Sequence, residues 1–391
     1  MTEFSPSGST AALRREAKLP KRTRQAHWRT VYAALRLAHR WFGALLGLGL
    51  ALLGLSGTFL LWKPWWTTVS QVPRPATAEE TLAIVTSADA MGAQKVVLPS
   101  PEFGVAKVDL GDGAGAYLDH NGNLLARWAS NWDRPETLLL DFHEHLLMGH
   151  DGKLIGGWLA LCAILFIVTG LILWWPTRRS FRLRGLPARA TRPAIIRHHR
   201  DLGVVLALPL LLAAGTGALM ALKPLQEAIM NPLSPVTAIA AYEAKPLPVQ
   251  PMPIDWAAVL GRAATTFPDA ELREISWPKS AGESVRLRLR QPSEWHPNGR
   301  SSVWLSGDGS QIMARDALQA PLAVRARHAL YPLHAAQLTG SAMSLPLRLA
   351  LTLAGLGLTM LGSLTAFSFW RNQISASTAH LGSKPNQALD N

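Results

Sequence analysis

His39-Arg40-Trp41-Phe42-Gly43 opens an uncharged run, Trp41–Trp62, and the same opening returns 160 residues later as His199-Arg200-Asp201-Leu202-Gly203 before Leu202–Leu222. At that single offset Gly57 also falls on Gly217, Lys63 on Lys223 and Pro64 on Pro224. Leucine matches between apolar runs are common. His-Arg, Gly and Lys-Pro matches at one fixed offset are not, and they imply an internal duplication. Two further uncharged runs, Leu154–Pro176 and Leu349–Trp370, complete the halves. Each of the four meets the roughly 20 residues a helix needs to cross a hydrocarbon layer about 30 Å thick. The expected fold class is a membrane all-α four-helix bundle carrying two small α+β domains. Both repeats start on the same side, so a pseudo-twofold axis along the membrane normal should relate them.

Composition agrees with a membrane protein. Of 391 residues only 17% are charged, and the net charge is +13. That excess resembles a nucleic-acid signal until it is mapped, and no nucleic acid is expected as a partner. Eight basic residues against Glu3 and Glu16 lie before His39, and seven arginines from Arg178 to Arg197 follow the second run with no acid among them. Thr67 to His150 reverses the balance, with five basic and eleven acidic residues. Basic loops stay in the cytoplasm. The expected order is therefore a basic cytoplasmic segment (1–38), a first span (39–66), a periplasmic domain (67–150) and a second span (151–176). An Arg-rich cytoplasmic linker (177–198), a third span (199–224), a second periplasmic domain (225–340), a fourth span (341–370) and a cytoplasmic tail (371–391) follow. The single Cys162 excludes a disulfide framework, a cysteine-ligated Fe–S cluster and c-type haem attachment.

The outer segments read alike. Glu79–Met91 and Asp255–Phe267 are expected as amphipathic helices followed by alternating runs. Asn121-Gly122 and Asp308-Gly309 are expected as the corresponding hairpin turns. Proline-rich Pro73–Pro75 and Pro246–Pro253 read as joints between span and domain.

The histidines carry the functional argument. His39 and His199 stand at the cytoplasmic ends of spans one and three; His143 and His334 precede spans two and four, each followed by Gly six residues later. Facing histidines in a four-helix bundle suit bis-His ligation of haem b, whose iron takes two axial imidazoles on opposite sides of a flat macrocycle. His39 would pair with His199 on the cytoplasmic side and His143 with His334 on the outer side, giving two haem b. Gly43 and Gly203, one turn from their histidines, would leave room for the porphyrin. Gly57 and Gly217 read first as helix-packing positions.

Neighbouring histidines compete. In a helix continuing from Leu139, His143 and His150 share a face, while His145 falls opposite with Asp141. This favours His143 as the ligand, with His145 an alternative and His150 either an alternative, a substrate-side group or a support for the ligand. His198 is an alternative to His199, and His328 an alternative ligand or propionate partner near His334. His27, His120, His296 and His380 read as solvated. Arg300, Arg325 and Arg327 could meet propionates, an anionic substrate or surface acids, and Met148 is a conceivable ligand. A lone interfacial histidine is ordinarily a polar anchor; two symmetric pairs argue for a cofactor. None of the four uncharged cores holds an ionisable midplane group of the kind a transported metal would need.

These motifs resemble the PepSY-associated transmembrane family, found among iron-regulated inner-membrane proteins of Gram-negative bacteria. The matching residues are His39-Arg-Trp-Phe-Gly43, Ser56-Gly57, Phe142-His-Glu-His-Leu-Leu-Met-Gly149, Thr169-Gly170-Leu-Ile-Leu-Trp-Trp-Pro176, His199-Arg-Asp-Leu-Gly203, Thr216-Gly217 and Leu333-His334. Span four departs from the pattern: it lacks the Trp-Trp-Pro ending of span two, and Arg348 interrupts its approach. The resemblance implies PepSY-like outer domains and similarity to a di-haem siderophore reductase of that family. The expected activity is electron transfer across the inner membrane, from an unidentified cytoplasmic donor or quinol, to an Fe(III)–siderophore of hydroxamate type. Rival expectations are a siderophore or metal permease and a membrane-anchored scaffold regulating a peptidase. The Arg-rich linker is expected to meet anionic lipid of the bilayer.

Overall fold

In the computed structural model, residues 21–67 and 71–382 are described. Arg14, Arg15 and Lys18 lie outside the described residues, as do the side chains of His27 and His380. In chain order the helices are α1 (Lys21–Leu61), α2 (Lys63–Trp66), α3 (Ala78–Ala90), α4 (Pro135–His145), α5 (Gly149–Trp174) and α6 (Arg192–Ala221). They continue with α7 (Lys223–Met230), α8 (Val236–Glu243), α9 (Trp256–Thr266), α10 (Leu322–His334) and α11 (Ser344–Gly382). Eight strands lie between them: β1 (Lys95–Val97), β2 (Ala106–Gly111), β3 (Ala114–Leu118), β4 (Leu124–Trp128), β5 (Glu271–Ser276), β6 (Val285–Arg290), β7 (Ser301–Leu305) and β8 (Gln311–Arg315).

Four helices are long and apolar enough to cross a membrane, over Trp28–Leu61, Gly149–Ser180, Arg192–Ala221 and Ser344–Arg371. Helices α1, α6 and α11 run well past the expected span ends, because nothing in the flanking basic segments breaks them. His39 and His199 therefore sit inside their helices rather than at the ends. Helix α1 packs on α11 and α5 on α6, while α1–α5 and α6–α11 contacts close the ring. This sets α1 and α6 at opposite corners.

Glycines make the α1–α11 seam. A Cβ on Gly54 would lie 2.8 Å from the Gly355 carbonyl oxygen, and one on Gly47 would lie 3.3 Å from that of Gly362. Without a hydrophobic drive between helices in lipid, such backbone approach is how they gain contact.

The outer segments form one antiparallel sheet, not two separate domains. Its order is β4-β3-β2-β1-β5-β6-β7-β8, so the two halves meet at β1 and β5 with Val96 opposite Ile275. Leu98 N–H donates to the Arg273 carbonyl at 2.9 Å and Trp277 N–H to the Gln94 carbonyl at 3.0 Å, extending the junction at both ends. Helices α3 and α9 cover one face through a single core that includes Ile84, Val96, Val108, Val259, Ile275 and Leu287, all fully buried. The physical reason for the fusion is the edge. A four-stranded half ending in the three-residue β1 would expose unpaired backbone groups, which pairing with β5 removes. Lys107, between buried Ala106 and Val108, points away from this core toward the long helices.

The entries into α5 and α11 are sharp corners. Helix α4 stops at His145, with Leu146 at φ 49° and Leu147 at φ 61°, both in the left-handed region that costs a branched side chain energy. Gly149 (φ 59°) and Gly340 (φ 72°) serve the two corners, which accounts for the glycine six residues after each outer histidine. A Cβ on Gly152 would fall 1.6 Å from the His145 carbonyl oxygen. The expectation of one helix carrying His143 through His150 is thus corrected: three positive φ angles in four residues end it.

Candidate functional site: two facing histidine pairs

A cavity of about 1490 Å³ runs through the long helices from Arg36 and Arg192 at the linker end to Lys63 and Lys107 beneath the sheet. His39, His199, His143 and His334 all line it. Helix α1 brings His39 to the wall, and α6, across the ring, brings His199. Their ring centroids are 6.3 Å apart with planes at 80°. At the sheet end His143 from α4 and His334 from α10 face each other at 6.1 Å, with planes at 44°.

One device orients all four rings. His39 Nδ1 lies 2.8 Å from Thr169 Oγ1 and His199 Nδ1 lies 3.0 Å from Thr365 Oγ1. His143 Nδ1 lies 2.9 Å from Ser56 Oγ and His334 Nδ1 lies 3.0 Å from Thr216 Oγ1. Each of these hydroxyls already donates its own hydrogen to a carbonyl one turn earlier: Leu165, Leu361, Leu53 and Leu212. A hydroxyl has one hydrogen, so while it donates to that carbonyl it accepts from the imidazole. Nδ1–H is thereby fixed as the donor and Nε2 is left with its lone pair, the tautomer a metal requires. His334 confirms the assignment, because its Nδ1 also donates to the Ala213 carbonyl at 3.1 Å. At the sheet end, burial and the neighbouring His334 push His143 down to about 4, and burial lowers His334. Both rings of that pair are neutral near pH 7.

The spacing can be tested against a shared metal. Two nitrogen–metal bonds of about 2 Å, plus about 1.2 Å from each nitrogen to its own ring centre, place coaxial imidazole centroids about 6.4 Å apart. The centroid spacings of 6.3 and 6.1 Å lie close to that value. Among the described residues no group of three or more His, Cys, Asp or Glu converges, and Cys162 is free. Two facing imidazoles with no further protein ligand would suit a metal whose other donors come from a macrocycle. Gly43 and Gly203 line the cavity with nothing within 4 Å of a Cβ position, leaving open space beside the linker-end pair.

Several expectations change. Gly57 and Gly217 are not helix-packing positions: their Cβ atoms would meet Cε1 of His143 at 3.0 Å and of His334 at 3.2 Å. They seat the outer histidines. His145 turns to Asp141 at 3.1 Å, and His150 is exposed in the first turn of α5. His198 is buried against the linker, 3.2 Å from the Gly185 carbonyl, and does not line the cavity. His328 is also off the cavity; burial and Arg300 push it down to about 3. His120 and His296 are buried rather than solvated. His120 lies 3.3 Å from the Arg74 carbonyl, and His296 stacks on Tyr331 with centroids 5.1 Å apart. Met148 is exposed. Arg300, Arg325 and Arg327 do not reach the cavity, and Arg327 pairs with Glu243 at 2.9 Å.

Sequence reasoning missed the roles of the four hydroxyls, although Ser56-Gly57, Thr169-Gly170 and Thr216-Gly217 announce three of them: hydroxyl for the Nδ1–H, glycine for ring clearance; Thr365 is followed by Ala366. A Cβ on Gly170 would lie 3.6 Å from His39 Cε1, the same relation again. Lys63 and Lys107 were also missed as cavity residues.

A family model described as the PepSY-associated TM region matches residues 36–373. No curated protein matches the chain.

Proposed function

The chain belongs to the family of PepSY-associated transmembrane proteins, and from that premise we propose that it is a di-haem b electron carrier of the bacterial inner membrane that reduces Fe(III)–siderophore on the periplasmic side. The carrying observation is the pair of imidazole–imidazole spacings, 6.3 and 6.1 Å, with no hydrogen bond to any of the four Nε2 atoms among the described residues. Haem b bound by two imidazoles supplies one-electron transfer without opening a coordination position, and the protein sets its potential and access. His39 and His199 would hold one group and His143 and His334 the other. Thr169, Thr365, Ser56 and Thr216 hold the rings in orientation.

From His39 to Gly57, where His143 rests, α1 rises about 27 Å. One centre could not serve both faces of a bilayer; two, joined by a single apolar cavity, can. Between the pairs the wall is Leu, Ile, Ala and Gly, including Leu50, Leu53, Ile167 and Leu210, with no ion-ligating group. Such a wall excludes water and disfavours the permease reading.

The arginines from Arg178 to Arg197 support a cytoplasmic linker end by the positive-inside rule, where a donor protein or quinol would deliver the electron. The sheet roofs a chamber over His143 and His334, the proposed seat for a hydroxamate-type chelate. There Fe(III) takes one electron, and the softer Fe(II) leaves oxygen ligands that hold it more weakly. We also assign the common element order of the two halves, and the sheet palindromic about β1–β5, to duplication about an axis along the membrane normal.

The test is full chain reconstituted in liposomes with reductant on one side and Fe(III)–siderophore plus a colorimetric Fe(II) trap on the other. Colour that needs both histidine pairs is expected. A haem-loaded chain that yields no Fe(II) with any chelate overturns the substrate assignment.

A further inference from the structure

The sheet end of the cavity holds four cations that the histidine pairs do not explain: Arg273, which pairs with Glu271 at 2.9 Å, Lys153 near the start of α5, Lys63 and Lys107. Lys63, in α2 just beyond the first span, and Lys107, on the helix-facing side of β2, both line the cavity beside His143 and Glu144. Both side chains are half-buried, and no ion pair or hydrogen bond to either ammonium forms among the described residues. The carboxylates that share the lining, Glu102 and Glu144, are exposed.

The second half of the chain does not tolerate the same arrangement. Lys223, which matches Lys63, pairs with Glu227 at 3.6 Å and is 82% exposed; the residue four after Lys63 is Thr67. Lys107 lies opposite Val97 in β1–β2 as Arg286 lies opposite Ser276 in β5–β6. Arg286 has Glu274 at 3.1 Å, with Arg288 sharing that carboxylate at 3.2 Å. Where the second half has Glu274, the first has Lys95, which pairs with Asp109 instead. Two ammoniums that the opposite half would have matched with carboxylates are thus left facing a cavity. Desolvating a cation without a directly bonded partner is costly: burial together with Lys107 pushes Lys63 down to about 8 against the opposing pull of Glu136 and Glu144, which also act on Lys107. A ligand anion would recover that cost.

We propose that Lys63 and Lys107 bind a carboxylate above the His143–His334 pair. The inference rests on the electron-carrier reading for the position of this site, and two sources share the chemistry: an anionic iron(III) chelate bearing carboxylates, or a propionate of the group held by His143 and His334. The first source would shift the substrate class from neutral hydroxamates toward carboxylate chelates.

The experiment compares full-length wild type with the double variant Lys63→Met/Lys107→Met, with Lys63→Arg/Lys107→Arg as a charge-preserving control and Lys223→Met as baseline. Binding of Fe(III)–citrate and of a neutral tris-hydroxamate Fe(III) chelate is read by tryptophan quenching, and haem potentials by redox titration. A chelate source predicts Fe(III)–citrate binding weakened about ten-fold or more, the neutral chelate unchanged, and the arginine control near wild type. A propionate source predicts both chelates unchanged, with the potential of the haem lost in His143→Ala lowered and that haem washing out faster. Double-variant values equal to those of Lys223→Met in both readouts overturn the proposal. A colourless preparation would defeat the electron-carrier reading, yet the citrate measurement would still decide the lysine pair.

Discussion

The two histidine pairs reach nearly the same spacing by different constructions. At the linker end both rings grow from long spanning helices, α1 and α6, and register along those helices alone sets their height. At the sheet end both rings grow from short helices, α4 and α10, that lean on Gly57 and Gly217 of the spans and break immediately afterwards at Leu146–Leu147 and at Ala336 (φ 50°). A ring on a continuous helix is placed by the periodicity of one element. A ring on a broken helix is placed by contacts between elements, so its position depends on side-chain clearance and on backbone held in an uncommon conformation. The linker-end pair should therefore be the sturdier and the sheet-end pair the more tunable.

The largest effects come from deleting ligands. Alanine at His39 or His199 is expected to remove one haem of two, alanine at His143 or His334 the other. Either change should cut reduction across the bilayer by roughly a hundred-fold or more, with haem per chain and Fe(II) release as the measurements. Glycine substitutions separate the two ends next. Gly57→Val must displace His143 and should abolish the sheet-end centre while sparing the other. Gly43→Leu meets no protein atom, so haem-free stability should hold while linker-end haem is lost. Two haems retained by Gly43→Leu would show that the space beside Gly43 is not the cofactor's. Removing the hydroxyls should act more mildly: Thr169→Val, Thr365→Val and Ser56→Ala are each expected to weaken haem retention about 10- to 100-fold. Thr216→Val should cost least, because His334 keeps the Ala213 carbonyl as an acceptor.

Acid is a further probe of the sheet end. Burial and Arg300 hold His296 down to about 2 and His328 down to about 3. Unfolded, each binds a proton below about 6.5 that the folded chain does not. Stability is therefore full above that value and falls as pH drops toward about 3. Both groups lie at the sheet end, His296 between β6 and β7 and His328 in α10, so tryptophan-detected unfolding of that end should follow this slope. His296→Gln should flatten the slope.

Much of this comparison was legible in the residues. The four apolar runs mark the spans because an unbroken apolar run of about 20 residues satisfies its backbone in lipid as a helix, whereas barrel strands are shorter and alternate. The His-Arg-x-x-Gly repeat put His39 and His199 at matching heights, because position along one helix is fixed by counting. Counting failed where the chain left a single element. Nothing in Leu146-Leu147-Met148 signals a left-handed corner, so α4 was extended through His150. The join of β1 to β5 depends on two segments far apart in sequence. Burial of His120 and His296 depends on neighbours that no local pattern names.

The central claim is that each facing pair holds one haem b. The most direct test is the visible spectrum of purified full-length chain, oxidised and reduced, with a pyridine haemochrome count. The account predicts two low-spin b-type haems per chain. A colourless chain, unchanged when haem is supplied during expression, would contradict it.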